Sequence, residues 1–97
     1  MWIERPSFTS FVWDNAKRAS NIAKHGIDFE DALLALQQPH IEIPTAKGNE
    51  MRILAICPES GRLIAVVYTL RGDACWIISA RAAHRDEQRL YHTHIPR

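Results

Sequence analysis

Cysteine is scarce in this sequence. Its two cysteines, Cys57 and Cys75, are too few and too far apart for a disulfide framework or a zinc knuckle. They read instead as buried free thiols in a reducing cytoplasm. Long apolar runs are missing too. The longest, Leu63 to Tyr68, is far short of the ~20 residues a membrane span needs. The opening Met-Trp-Ile-Glu-Arg-Pro has no basic region followed by an apolar stretch, so no secretory signal and no membrane partner are expected. A cytoplasmic location follows as the expectation. There is also no excess of one charge: 12 basic against 11 acidic residues leave +1, which by itself makes no case for a nucleic-acid partner. No repeat, linker or low-complexity stretch breaks the chain.

What remains is the composition of a small globular protein. The chain has 97 residues, 46% hydrophobic and 24% charged, a balance that excludes disorder, collagen and coiled-coil rods. Domains usually run ~100–200 residues, so one domain over 1–97 is expected. The charge is unevenly spread. Residues 25–50 carry a net of −4, with Lys47 against Asp28, Glu30, Asp31, Glu42 and Glu50. Residues 60–97 carry +3, and every basic residue there is arginine. Arginine's planar fork suits phosphate, because it donates two parallel hydrogen bonds.

Local patterns give an element order. Ser7–Trp13, with Phe8, Phe11, Val12 and Trp13, predicts a short strand. Asp14 is an N-cap and Gly26 a C-terminal stop, which brackets a helix over 15–25. Asp28 predicts a second N-cap, with Asp31 completing a loose capping box. Phe29, Ala32, Leu33 and Leu36 follow the spacing of one buried helix face, and Pro39 ends that helix. Ile41–Ile43 alternates as an edge strand bounded by Pro44. Glu50–Cys57, Arg62–Leu70 and Ala74–Arg81 predict strands joined by Pro58-Glu59-Ser60-Gly61 and by Arg71-Gly72-Asp73. Residues 83–92 predict a polar helix docked by Ala83, Leu90 and Tyr91. The near-continuous apolar run of 62–70 suits a central strand. Hairpin-length connections imply antiparallel pairing. The expected class is therefore α+β, an antiparallel sheet with packed helices in a small two-layer domain.

General catalytic motifs are missing: no phosphate-binding glycine loop, no Gly-x-Ser-x-Gly elbow, no His-Glu-x-x-His. His92 and His94 have no carboxylate or cysteine nearby in the sequence, so neither a metal site nor a cofactor is expected. Several ordered strings do stand out. They are Phe11-Val-Trp-Asp14, Asn21-Ile-Ala-Lys-His-Gly26, Phe29-Glu-Asp-Ala32, Gly48-Asn-Glu-Met-Arg52, Val66-Val-Tyr-Thr-Leu-Arg71 and Ile77-Ile-Ser-Ala-Arg81. Together they resemble the BrnT family of ribonuclease toxins, over nearly the whole chain. The resemblance implies a fold similar to the RelE group of toxins. It also implies a metal-independent endoribonuclease that cuts mRNA and blocks translation. The partner it implies is a BrnA-like antitoxin, which covers the toxin and alone contacts operator DNA. The alternative is a protein-binding module of the same fold without cleavage. Three positions depart from the family pattern: Val12 and Leu70 where acidic residues are usual, and Trp76 where arginine is usual.

Metal-free RNA cleavage needs a base for the 2′-hydroxyl proton, cations around the phosphorane and an acid for the 5′-oxygen. Lys24 and His25 fall in the Lys-His-Gly string. Lys24 suits phosphate, or a base if desolvated; His25 is either a helix C-cap contact or an acid or base. Glu50 and Arg52, two apart on a strand, share a face. They are a base with a phosphate partner, or a plain surface pair. Arg71 and Arg81 are phosphate ligands, or a turn charge and a helix anchor respectively. With Arg71 opposite Ala74, Arg81 falls ~20 Å away at ~3.3 Å per residue. Arg71, Arg52 and Lys24 therefore rank above Arg81 for chemistry. Trp76 either stacks on a base or covers the sheet.

Overall fold

The structure, a computed structural model, describes residues 1–95. Its elements run β1 (Trp2–Ile3), β2 (Ser10–Val12), α1 (Asn15–His25), α2 (Phe29–Leu36), β3 (His40–Lys47), β4 (Glu50–Glu59), β5 (Arg62–Arg71), β6 (Ala74–Ala82) and α3 (Arg85–His94). The strands form one six-stranded sheet in the order β1-β3-β4-β5-β6-β2. The strands β3 to β6 are an antiparallel meander. The N-terminal segment closes both edges of that meander. Antiparallel β1 flanks β3, and parallel β2 flanks β6.

The helix caps follow the local chemistry. Asp14 Oδ1 accepts from the backbone N–H of Ala16 at 2.7 Å and of Lys17 at 3.2 Å. Gly26, at φ 69°, ends α1 by donating its N–H to the Ile22 carbonyl. That left-handed backbone is one a β-carbon disfavours. Asp28 caps α2 through the N–H of Glu30, at 3.1 Å. The expected box with Asp31 does not form: the Asp31 N–H goes to the Asp28 carbonyl. The Asp28 carboxylate is instead held by Arg18, at 2.7 and 2.8 Å.

Other boundaries differ from the sequence reading for physical reasons. The first strand shrinks to Ser10–Val12, the three residues that find partners on β6, Ala74 to Trp76, before Asp14 caps α1. The tiny β1 is too short to show any period. The edge strand does not stop at Pro44 but runs on to Lys47. The Glu42 N–H points outward, to the Met1 carbonyl. Pro44, two residues on, therefore turns its nitrogen away from β4, where no donor is required. The turn after β4 contracts to Ser60-Gly61, both with positive φ, 49° and 80°, as a primed hairpin turn requires. The second hairpin turns at Gly72 as expected, at φ 62°.

The α+β class with an antiparallel sheet and packed helices holds, but both sheet faces carry helices. Alternation along β4 to β6 sends Ala55, Cys57, Ile64, Val66, Tyr68, Cys75 and Ile77 towards Phe29, Ala32, Ala35 and Leu36 of α2. The opposite face sends Ile41 and Ile56, with Leu54 and Leu63 beside them, towards Ala83 and Tyr91. Helix α3 thus adds a third, partial layer, because an alternating strand with apolar residues on both sides needs two covers. Both cysteines are buried free thiols. Burial pushes the Cys75 thiol up to about 12, out of reach as a nucleophile at neutral pH.

Candidate active site

Helix α3 covers only the part of its sheet face that is apolar. Towards the opposite end of the sheet the same face becomes polar and lies open. Ile53, Tyr68 and Ile77 point towards the α2 core. Their neighbours Arg52, Thr69 and Trp76 therefore point the other way. Glu50 and Arg71 continue the same two rows. With Asp14 and Lys17 at the start of α1, these side chains line a cavity of about 220 Å³.

Its electrostatic centre is Glu50. One carboxylate oxygen accepts from Arg52 Nε at 3.3 Å, the other from Arg71 Nη2 at 3.3 Å. The hydrogen bonds from Arg71 and then Arg52 hold the Glu50 carboxyl below its ordinary range. The Arg71 guanidinium also lies over the Trp76 ring, 4.7 Å from its centroid. The backbone beneath is tied down: Thr69 Oγ1 donates to the Met51 carbonyl at 2.8 Å, and Thr45 Oγ1 to that of Arg52 at 3.2 Å.

A second cavity, of about 250 Å³, adjoins the first. Lys17, Ser20, Asn21, Lys24, His25, Ile78 and Ser79 line it. Lys17 and Ile78 belong to both cavities, so the two form one trough between α1 and β6. Two local features shape it. Lys17, Ser20, Asn21 and Lys24 have the three-, four- and seven-residue spacing of one helix face. On β6, Tyr68 pairs with Ile77 but Val67 pairs with Ser79, which leaves Ile78 as a bulge. A bulge bends its strand and re-aims the side chains around it. Here it lies on the seam between the cavities.

The six site residues read from the sequence therefore fall into three places. Glu50, Arg52 and Arg71 meet directly. Lys24 and His25 stand in the adjoining cavity, and the C-cap of α1 is the Gly26 N–H rather than the His25 side chain. Arg81 is apart: it pairs with Ala65, while Arg71 pairs with Ala74 at the far end of the same hairpin. Its two terminal nitrogens donate to the two Glu87 oxygens, at 2.8 and 3.0 Å. Glu87 Oε1 also accepts the His84 N–H at 2.7 Å, so Arg81 holds the entry to α3. Sequence reasoning missed Lys17, Asp14 and Thr69. Lys17 was findable as the residue two helical turns before Lys24, and Thr69 as the same-face neighbour of Arg71.

Among the described residues no three His, Cys, Asp or Glu side chains converge as a metal site would require. None of the described helices is long and apolar enough to cross a membrane.

Comparison with known proteins converges on one family. Residues 13–87 match the family model described as the ribonuclease toxin, BrnT, of type II toxin–antitoxin systems. The fold is similar to the 1.1 Å crystal structure of the Brucella abortus ribonuclease toxin BrnT, with a TM-score of 0.60 and 34% identity. That match covers 78% of this chain and 97% of the Brucella chain. No curated protein sequence matches significantly.

Proposed function

Because this chain belongs to the BrnT family of ribonuclease toxins, we propose that it cuts mRNA endonucleolytically and without a metal, in the cytoplasm, at the Glu50–Arg52–Arg71 cluster. A toxin of a type II system has an antitoxin partner. In this reading residues 1–97 are a single toxin domain, and the partner is BrnA-like, covers the toxin and makes all contact with operator DNA. The observation that carries the proposal is the open carboxylate of Glu50 between two guanidiniums, in a trough that continues to Lys17, Lys24 and His25.

The chemistry follows from that arrangement. In the free protein Glu50 is a weak base, because both guanidiniums stabilise its charge. A bound phosphodiester competes for Arg52 and Arg71, whose forks match its oxygens. As they turn to phosphate, the depression of Glu50 is relieved and its carboxylate regains basicity. Glu50 then takes the proton from the 2′-hydroxyl as the 2′-oxygen attacks phosphorus. Arg52 and Arg71 stabilise the charge of the phosphorane. The bond to the 5′-oxygen breaks, and that oxygen takes a proton from His25 in the adjoining cavity, with Lys24 beside it against the phosphate. The products are a 2′,3′-cyclic phosphate and a 5′-hydroxyl. Arg81 positions α3 through Glu87 and takes no part in the reaction.

The test is cleavage of single-stranded RNA by the purified protein in the presence of a chelator. Cyclic-phosphate ends are expected, with Arg71→Ala slowing kcat/KM by about 10²–10³-fold while the circular-dichroism spectrum is unchanged. Inhibition by the chelator contradicts the metal-free route. Intact RNA at high protein concentration favours the binding-module alternative.

A further inference from the structure

Trp76 is set apart from the other two tryptophans. Trp13 packs edge-on against Phe29, and Trp2 lies 5.6 Å from Tyr91. Among the described residues, the group over the Trp76 ring is a cation, Arg71. The indole is half-buried on the open part of the sheet face and lines the cavity that holds Glu50 and Arg52. A large aromatic surface beside a phosphate-sized cluster of cations is the pairing that single-stranded nucleic acid uses: charge for the backbone, a π-face for the base.

We propose that Trp76 is the nucleobase platform of this trough, and that it selects an unpaired purine next to the phosphate held by Arg52 and Arg71. This rests on the reading of the cluster as an RNA site. In the free protein Arg71 occupies the indole face and satisfies its quadrupole. Phosphate draws Arg71 away and uncovers that face for the adjoining base. Binding of phosphate and base is thereby coupled through one side chain. Purines are preferred because stacking grows with ring area, and the larger ring covers more of the indole. No base edge need be read, so a purine preference without a strict cleavage sequence is expected.

The probes are 2′-O-methyl hexanucleotides, which lack the free 2′-hydroxyl and cannot be cut: oligo-A, oligo-U and an abasic hexamer with the same phosphates. Anisotropy measures their affinity. Oligo-A is expected to bind the native protein about 5- to 150-fold more tightly than the abasic hexamer, the range that stacking of one base supplies, with oligo-U between them. In Trp76→Ala the three affinities converge on the abasic value, whereas Trp76→Phe retains part of the spread. Raising salt lowers all three affinities together and leaves their ratio unchanged, since the phosphates are common to them. Equal binding of oligo-A and the abasic hexamer by the native protein overturns the proposal, and so does a full purine preference in Trp76→Ala. If Trp76→Ala fails to fold, the native protein's abasic comparison and Trp76→Phe decide it. RNA cleavage is scored separately. A protein that cuts RNA without a base preference refutes the platform alone, and one that shows Trp76-dependent stacking without cutting refutes the nuclease alone.

Discussion

Single residues in this protein do opposite work with the same chemistry, and Glu42 is the clearest case beside Glu50. Its Oε2 accepts from Tyr68 Oη at 2.6 Å and lies 2.9 Å from Nε2 of the fully buried His40. Burial pushes the Glu42 carboxyl up, but the contacts with His40 and Tyr68 outweigh it and hold the group below its ordinary 4.5. A carboxylate depressed on folding adds stability above its unfolded value and loses it as pH falls through the folded one. Glu42→Gln should therefore lower stability by about 1–3 kcal/mol near neutrality, the cost of a broken buried hydrogen-bond network. It should also flatten the decline of the thermal midpoint below pH 4.5. Parallel acid limbs for the two proteins would contradict this assignment. The His40–Glu42 pair is legible in the sequence, since residues two apart on a strand share a face. The Tyr68 partner is not, because it arrives from the other side of β4.

At the scale of elements, α1 is fastened in an unusual way. Asn21 is its only buried residue among those described. The Asn21 side chain donates to the carbonyls of Ile27 and Ala80, at 2.8 and 2.9 Å, and accepts the Ala80 N–H at 3.0 Å. One amide thus stands in for a strand partner on β6 and joins it to the chain after Gly26. Asn21→Ala should destabilise by about 1–3 kcal/mol for each buried backbone group left unpaired. In a urea titration its midpoint should fall well below that of Ser20→Ala, an exposed change on the same turn. Matching midpoints would mean that α1 is held by something else. This joint also positions one wall of the trough, because Lys17, Lys24 and His25 ride on α1. The limits of α1 are written locally in Asp14 and Gly26, which is why they can be read from the sequence. The role of Asn21 depends on a residue 59 positions away, and no local pattern records it. The bulge at Ile78 is hidden for the same reason: an extra residue in an apolar run leaves no mark on composition.

For the molecule as a whole, a net charge of +1 conceals a cationic trough that exists only after folding. Lys17, Lys24, Arg52 and Arg71 come from three separate elements. If each meets one phosphate, a log–log plot of single-stranded RNA affinity against salt should have a slope of about −3, near −0.7 per contact. Removing any one of the four should make it shallower by about 0.7. A slope near zero would mean that the backbone is not gripped there. The order of elements and the antiparallel class are legible because hairpin turns are local. The third layer is not, because which face α3 covers depends on alternation along strands that are apolar on both sides. The closed edges of the meander have one last implication, for synthesis. Residues 1–12 emerge first during translation, yet β2 has no neighbour until β6, residues 74–82, has been made. Strand β2, among the first residues to appear, must therefore wait for nearly the last strand before it can dock, whereas β1 needs only β3. A chain stalled midway could close the border that β1 makes with β3, but it would lack β6 and with it both the opposite border and one wall of the trough.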